Sequence, residues 1–251
     1  MSDASAPVRV AALVRHNGRL TVRDPGPLIS RLLMPPVMLA LLQPLYRQSL
    51  PNGTSGIAQA ATGMMVMFSM LAVSIVGVVI LNERIWRTWD HLRSTPAKAV
   101  EILFAKVVWP FGVLLLQQVL LIAFAVLIYD LRIATPGLLA VALPVWCGTL
   151  TCFGALLGNT MRTAGSISAV QDVGGMIFTG LGGVLVPVTL LPTWVSMIAP
   201  ISPGYWGRSM LQSALQGDPL PTVRSAAVLV ALGILAGTLA CRSLIKGPAR
   251  G

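Results

Sequence analysis

Asp172 lies where a charge is disfavoured. It sits in "SISAVQDVGGMIFTGLGG" beside Gln171, and no other charged residue occurs between Arg162 and Arg208. An ionisable side chain at membrane depth costs about 2.5–3.5 kcal/mol on insertion scales, so it normally faces a cavity or a partner. A second polar pair, Gln117-Gln118, interrupts the apolar run "FGVLLLQQVLLIAFAVLIY". Gln117, Gln118, Gln171 and Asp172 are therefore the candidates for a substrate path or gate. The other reading, a protonated or hydrogen-bonded Asp172 at a helix contact with those glutamines, stays open.

Other chemistry is poorly served. His16 and His91 lie in separate polar segments. Cys147, Cys152 and Cys241 all fall in apolar stretches, and an i, i+5 pair with a distant third has no metal-site spacing. They read as buried apolar thiols. A membrane-embedded enzyme would need paired acids, histidine clusters or a nucleophile–base set, and Asp172 stands alone. An ion-coupled carrier would show several midplane charges in paired halves, and no repeat between the halves is visible. There is also no GxxxxGK[ST] phosphate loop. No catalytic residue, metal ligand or cofactor site is expected.

The densest polar stretch is "NERIWRTWDHLRSTPAKAVE", residues 82–101, with seven charged residues of both signs. The whole chain has only 18 basic and 8 acidic residues in 251, so this cluster stands out. On a helix, Ile85, Trp89 and Leu92 recur at 3–4 residue spacing, with Trp86 adjoining, while Arg84, Arg87, Asp90 and Arg93 are directed elsewhere. Thr95 can cap a following helix whose first position is Pro96, where no N–H is needed. A solvated loop that sets topology would explain Arg and Lys but not two Trp, nor acids among bases. A mixed-sign amphipathic helix joined rigidly to a span suits docking of another protein.

The elements that position these residues follow from composition. The chain is 55% hydrophobic and 10% charged, whereas soluble domains carry about 25% charged residues. A bilayer core of roughly 30 Å takes about 20 helical residues. Long charge-free runs predict an all-α integral membrane protein with six spans at about 28–46, 58–81, 106–129, 137–159, 166–187 and 222–241. The first is apolar only over "LLMPPVMLALL", but no small-x-small cleavage site follows it, so it is read as a retained span. Residues 7–23 mix apolar and basic positions and predict an N-terminal amphipathic helix in the interface, with a disordered basic tail as the alternative. Between the last two spans, residues 188–221 hold most of a proline-rich stretch that begins at Pro187. Trp194, Tyr205 and Trp206 suit the membrane boundary there. A short helical hairpin resting at the outer surface is expected.

With the N-terminus placed inside, fourteen Lys and Arg fall on the cytoplasmic side and four outside, namely Arg47, Arg132, Arg208 and Arg224. This positive-inside bias puts both termini in the cytoplasm. It also accounts for the formal net charge of +10 without nucleic acid, leaving some affinity for anionic membrane lipids.

The stretch Glu83-Arg84, Thr88-Trp89-Asp90, Leu92, Thr95 and Pro96 resembles the "ER…GTLERLLTTP" signature of type-2 ABC transporter permeases of the multidrug, polysaccharide and lipid exporter kind, daunorubicin-resistance-like members included. Lys106 resembles the Lys of the following "GK". "LPTWVSMIAPISPGYW" is similar to the family's "LPxW…aPxxP" region, and "RDPGPL" is a weaker match. Arg87 stands where the family often has Gly, and Ala105 where Gly usually precedes the Lys. The resemblance implies a permease without its own motor, spanning 1–251 as one transmembrane domain. It makes 83–96 a coupling helix, with Glu83, Arg84, Arg87, Trp89, Asp90, Leu92, Thr95 and Pro96 meeting a separate ATPase subunit that would hold ATP and magnesium. A second permease copy or homologue is implied as well. The apolar path favours a drug-like compound as cargo, with lipid-linked polysaccharide or lipid as the alternative. Fifteen Arg against three Lys suit a GC-rich bacterium and hence a bacterial plasma membrane.

Small residues form one further pattern. Gly175, Thr179 and Gly183 repeat every four positions, as do Gly154/Gly158 and Gly233/Gly237. Such spacing lets helix backbones approach closely. Packing within one subunit and an interface between two permeases both fit.

Overall fold

The computed structural model describes residues 26–49, 53–85, 99–184 and 192–246. Among them there is no strand, and nine α-helices account for nearly everything. They are α1 (Gly26–Ser49), α2 (Gly53–Leu71), α3 (Val73–Ile85), α4 (Ala99–Tyr129), α5 (Pro136–Thr160), α6 (Ala164–Leu181), α7 (Thr193–Ile198), α8 (Pro203–Gln216) and α9 (Pro219–Lys246). The expected interfacial helix at 7–23 lies outside the described residues.

Five helical stretches are long and apolar enough to cross a bilayer: Leu28–Tyr46, Gly56–Asn82, Val107–Tyr129, Pro136–Thr160 and Pro219–Ser243. The stretch expected at 166–187 is not among them. Its helix, α6, has 18 residues, about 27 Å, and Gln171 and Asp172 dilute its apolar character. The helix stops early because Gly183 takes a left-handed φ of 65°. Val184 N–H then bonds back to Thr179 O at 3.2 Å, closing the end as a glycine cap does. Asp130 (φ 54°) and Gly217 (φ 82°) end α4 and α8 in the same region.

Other boundaries shift for local reasons. The span expected at 58–81 is two helices joined at Ala72. The Ser69 hydroxyl bonds to Met65 O and Val66 O, and the Ser74 hydroxyl to Leu71 O, the back-bonding that bends helices. The last helix, expected at 222–241, starts at Pro219 and runs to Lys246, because proline is tolerated in a first turn.

The hairpin expected between the last two spans is two helices, and α8 is largely buried within the bundle. Met210, Leu211 and Ala214 are fully buried, and α8 packs against α2, α5, α6 and α9. Gly207 allows this: a Cβ there would lie 2.5 Å from the Trp146 ring of α5. Ser202 caps α8, its hydroxyl accepting from Gly204 N–H at 3.1 Å while donating to Phe178 O of α6 at 2.6 Å.

Candidate functional site

The charged cluster that first suggests a docking element joins α3 to α4. Glu83 and Arg84 lie in the last turn of α3, and their side chains are outside the described residues. Arg87, Trp89, Asp90, Leu92, Thr95 and Pro96 are outside the described residues altogether.

The four polar residues expected at membrane depth are not gathered into one lining. Gln118 of α4 is fully buried and donates to Met65 O of α2 at 3.1 Å. The same carbonyl accepts from Ser69, whose oxygen accepts the Trp146 Nε1–H at 2.8 Å. This buried network ties α2, α4 and α5 together, and it leaves Gln118 Oε1 without a partner among the described residues. Gln117 is buried as well. Gln171 of α6 donates to Met70 O of α2. Asp172, one residue and about 100° further round α6, is exposed and makes no hydrogen bond or ion pair among the described residues. Met176, one turn on, is its neighbour along the helix and is 78% exposed, and Val173 and Ile177 continue the outward surface.

The small residues separate into two groups. Gly154 and Gly158 bring α5 against α3: a Cβ on Gly158 would lie 2.5 Å from Gly77 O and 2.9 Å from Ile80 Cβ. Gly233 and Gly237 bring α9 against the other side of α5, at Thr149 and Cys152. Thr149 Oγ1 donates to Leu229 O at 3.1 Å and Asn159 Nδ2 to Ala240 O at 3.3 Å, pinning the same pair. On α6, Gly175 and Thr179 are buried against α2, Gly175 beside Leu71 and Thr179 beside Met70. Gly183 does not continue that face, because it lies past the end of the helix.

A polar cluster that the sequence reading left out lies where α1 ends, α2 begins and α6 and α8 meet. Gln59 of α2 is 2% exposed. Its Nε2 donates to Gly183 O at 3.5 Å, and its Oε1 accepts from Arg208 Nε at 3.2 Å and Arg208 Nη2 at 2.7 Å. Arg208 Nη2 also donates to Gln212 Oε1 at 3.0 Å. Burial lowers the Arg208 pKa, and the nearby Tyr205 and Tyr46 act in the opposite direction. The sequence did carry a signal for this cluster. Arg208 and Gln212 are four apart in a short helix, and Gln59 is a lone amide near the start of an apolar span.

Apolar helices in a bundle stitched by small residues and interhelical amide bonds define a multi-pass membrane protein. The ABC-2 type transporter family matches residues 9–215, most of the chain. The chain belongs to that family, whose members are membrane components of transporters. A comparison with curated protein sequences gives no match. Membership implies an ABC ATPase partner and agrees with the resemblance read from 83–96 and 191–206.

Proposed function

We propose that the chain is the permease half of an ATP-driven exporter in a bacterial plasma membrane, with both termini cytoplasmic. One observation carries this: the family match runs from residue 9 to 215 and includes the two-signed, Trp-bearing segment between α3 and α4. That segment, 83–96, is the coupling helix. In this reading Trp89 and Leu92 face the membrane, and Arg87 and Asp90 engage a cleft of the ATPase subunit, which binds ATP and magnesium. The chain itself supplies alternating access and no covalent chemistry.

A second copy or homologue completes the transporter. The outward face of α6 supports this, since a carboxylate set among Val173, Met176 and Ile177 is costly against lipid and acceptable against a partner or a wet path. Gln117, Gln118 and Gln171 are occupied or enclosed inside the subunit, so the path runs between copies along apolar surface. That favours a hydrophobic or amphipathic, drug-like cargo.

Co-purification with a candidate ABC ATPase subunit tests the reading. Wild type retains the subunit, and Trp89→Ala or Asp90→Arg sheds it without loss of helical content. Equal retention by all three removes the coupling role.

A further inference from the structure

We propose that Arg208 is a receptor for the phosphate or carboxylate of an anionic amphiphile at this end of the bundle. The inference needs only a protein embedded in a bilayer, not the exporter reading. A guanidinium has five N–H donors. The one on Nε and the two on Nη2 are directed at Gln59 and Gln212. The two on Nη1 meet no acceptor among the described residues. The partners are amides, so they fix the plane of the group without neutralising it, and no described carboxylate forms an ion pair with it.

A largely buried cation with no counterion among the described residues is unfavourable by several kcal/mol in a membrane protein interior. Evolution of a purely structural contact would be served better by glutamate at either glutamine position, or by a neutral residue at 208. What the arrangement does provide is a charge held rigidly, with the two Nη1 donors unused among the described residues, and this suits oxyanion recognition. Gln59 is itself held by Gly183 O at the end of α6, so the orientation is set from three helices at once.

The surroundings select the kind of anion. Tyr46 and Tyr205 lie close enough to influence the charge, and Trp206 stacks edge-on against Tyr205 with centroids 5.3 Å apart. Such aromatics mark the headgroup level of a bilayer. Beside Tyr46, α1 exposes Leu41 and Leu45, a surface for an apolar tail. A phospholipid and a transported amphiphilic acid both fit this chemistry.

The test uses full-length protein in detergent, read by native mass spectrometry and by thermal melting. Phosphatidylglycerol, phosphatidylcholine and inorganic phosphate are the probes. Wild type retains phosphatidylglycerol over phosphatidylcholine by about tenfold or more, the range of a charge-assisted hydrogen bond. Arg208→Gln abolishes the preference, and Arg224→Gln, on an exposed arginine at the same end, keeps it. Gln212→Glu is the decisive second variant: it neutralises Arg208 internally, so lipid preference falls while the melting temperature holds or rises. Stabilisation by phosphatidylglycerol alone identifies a lipid site, and stabilisation by inorganic phosphate as well identifies a solute site. No preference in wild type, or an undiminished one in both Arg208→Gln and Gln212→Glu, overturns the proposal.

Discussion

In α5, Gly154 and Gly158 lie against Val76, Gly77 and Ile80 of α3, and the opposite side meets Gly233 and Gly237 of α9. In α6, Gly175 and Thr179 reach α2, while the other side presents Val173, Met176, Ile177 and Asp172 outward. Both helices show a four-residue repeat of small side chains. The repeat in α5 is consumed inside the subunit, from both sides. In α6 only one side is consumed, and the helix is left with a face whose one carboxylate makes it unsuited to lipid. Small spacing therefore marks close approach of backbones. Where the approach happens is decided by what the rest of the helix carries.

The sharpest way to break this contrast is to add volume to each helix. Gly158→Leu must push Gly77 O and Ile80 away from α5, and the closest of these atoms is backbone rather than a flexible side-chain end. Overpacking of this kind costs about 3 kcal/mol or more, so folded protein should be lost from detergent extracts. Gly180→Leu on α6, where an added Cβ meets nothing within 4 Å, should leave the subunit's unfolding midpoint unchanged. Equal losses at both positions would erase the distinction.

The next test removes volume. Trp146 is fully buried, contacts Gly207 of α8 and donates to Ser69. Trp146→Ala should cost about 3–5 kcal/mol. Gly207→Ala should also destabilise, by overpacking against the ring, and the double variant should recover part of the loss. Simple additivity in a double-mutant cycle would mean that α8 is not wedged against α5.

A smaller effect is expected where α6 faces outward. Asp172→Asn removes the charge and leaves the shape, so subunit stability should move by no more than about 0.5 kcal/mol. Asp172→Lys should reduce crosslinking between copies by single cysteines placed at Met176, with no change in helical content. Undiminished crosslinking would place the second copy on another face.

Much of the fold was legible because membrane insertion is a matter of length and apolarity. Charge-free runs located the long helices after the first, and the ends at Tyr129 and Thr160 follow from turn residues. Two features were not legible. The early end of α6 depends on Gly183 adopting a left-handed φ, and "GLGGVLVP" reads just as well as continuing span. The burial of α8 depends on Gly207 receiving Trp146 from 61 residues away in the chain, a contact that no local pattern announces. The Gln59–Arg208 cluster went unseen for the same reason: an arginine between spans reads as topology until its neighbours are known.

The finest test concerns Gln118, because its two ends pull in opposite directions. Its Nε2 bond to Met65 O contributes about 0.5–1.5 kcal/mol. Its buried Oε1 has no partner among the described residues, which costs a comparable amount. Gln118→Met keeps the volume and removes both, so the midpoint should shift by less than about 1 kcal/mol. Gln171→Met loses its bond to Met70 O, and its oxygen is not among the buried unpartnered atoms. It should therefore destabilise more than Gln118→Met does, loosening α6 from α2 on the one side where α6 is held. If the order is reversed, the α6–α2 contact is not the amide-dependent one, and α6 is held instead by Gly175, Thr179 and the Ser202 bond to Phe178 O.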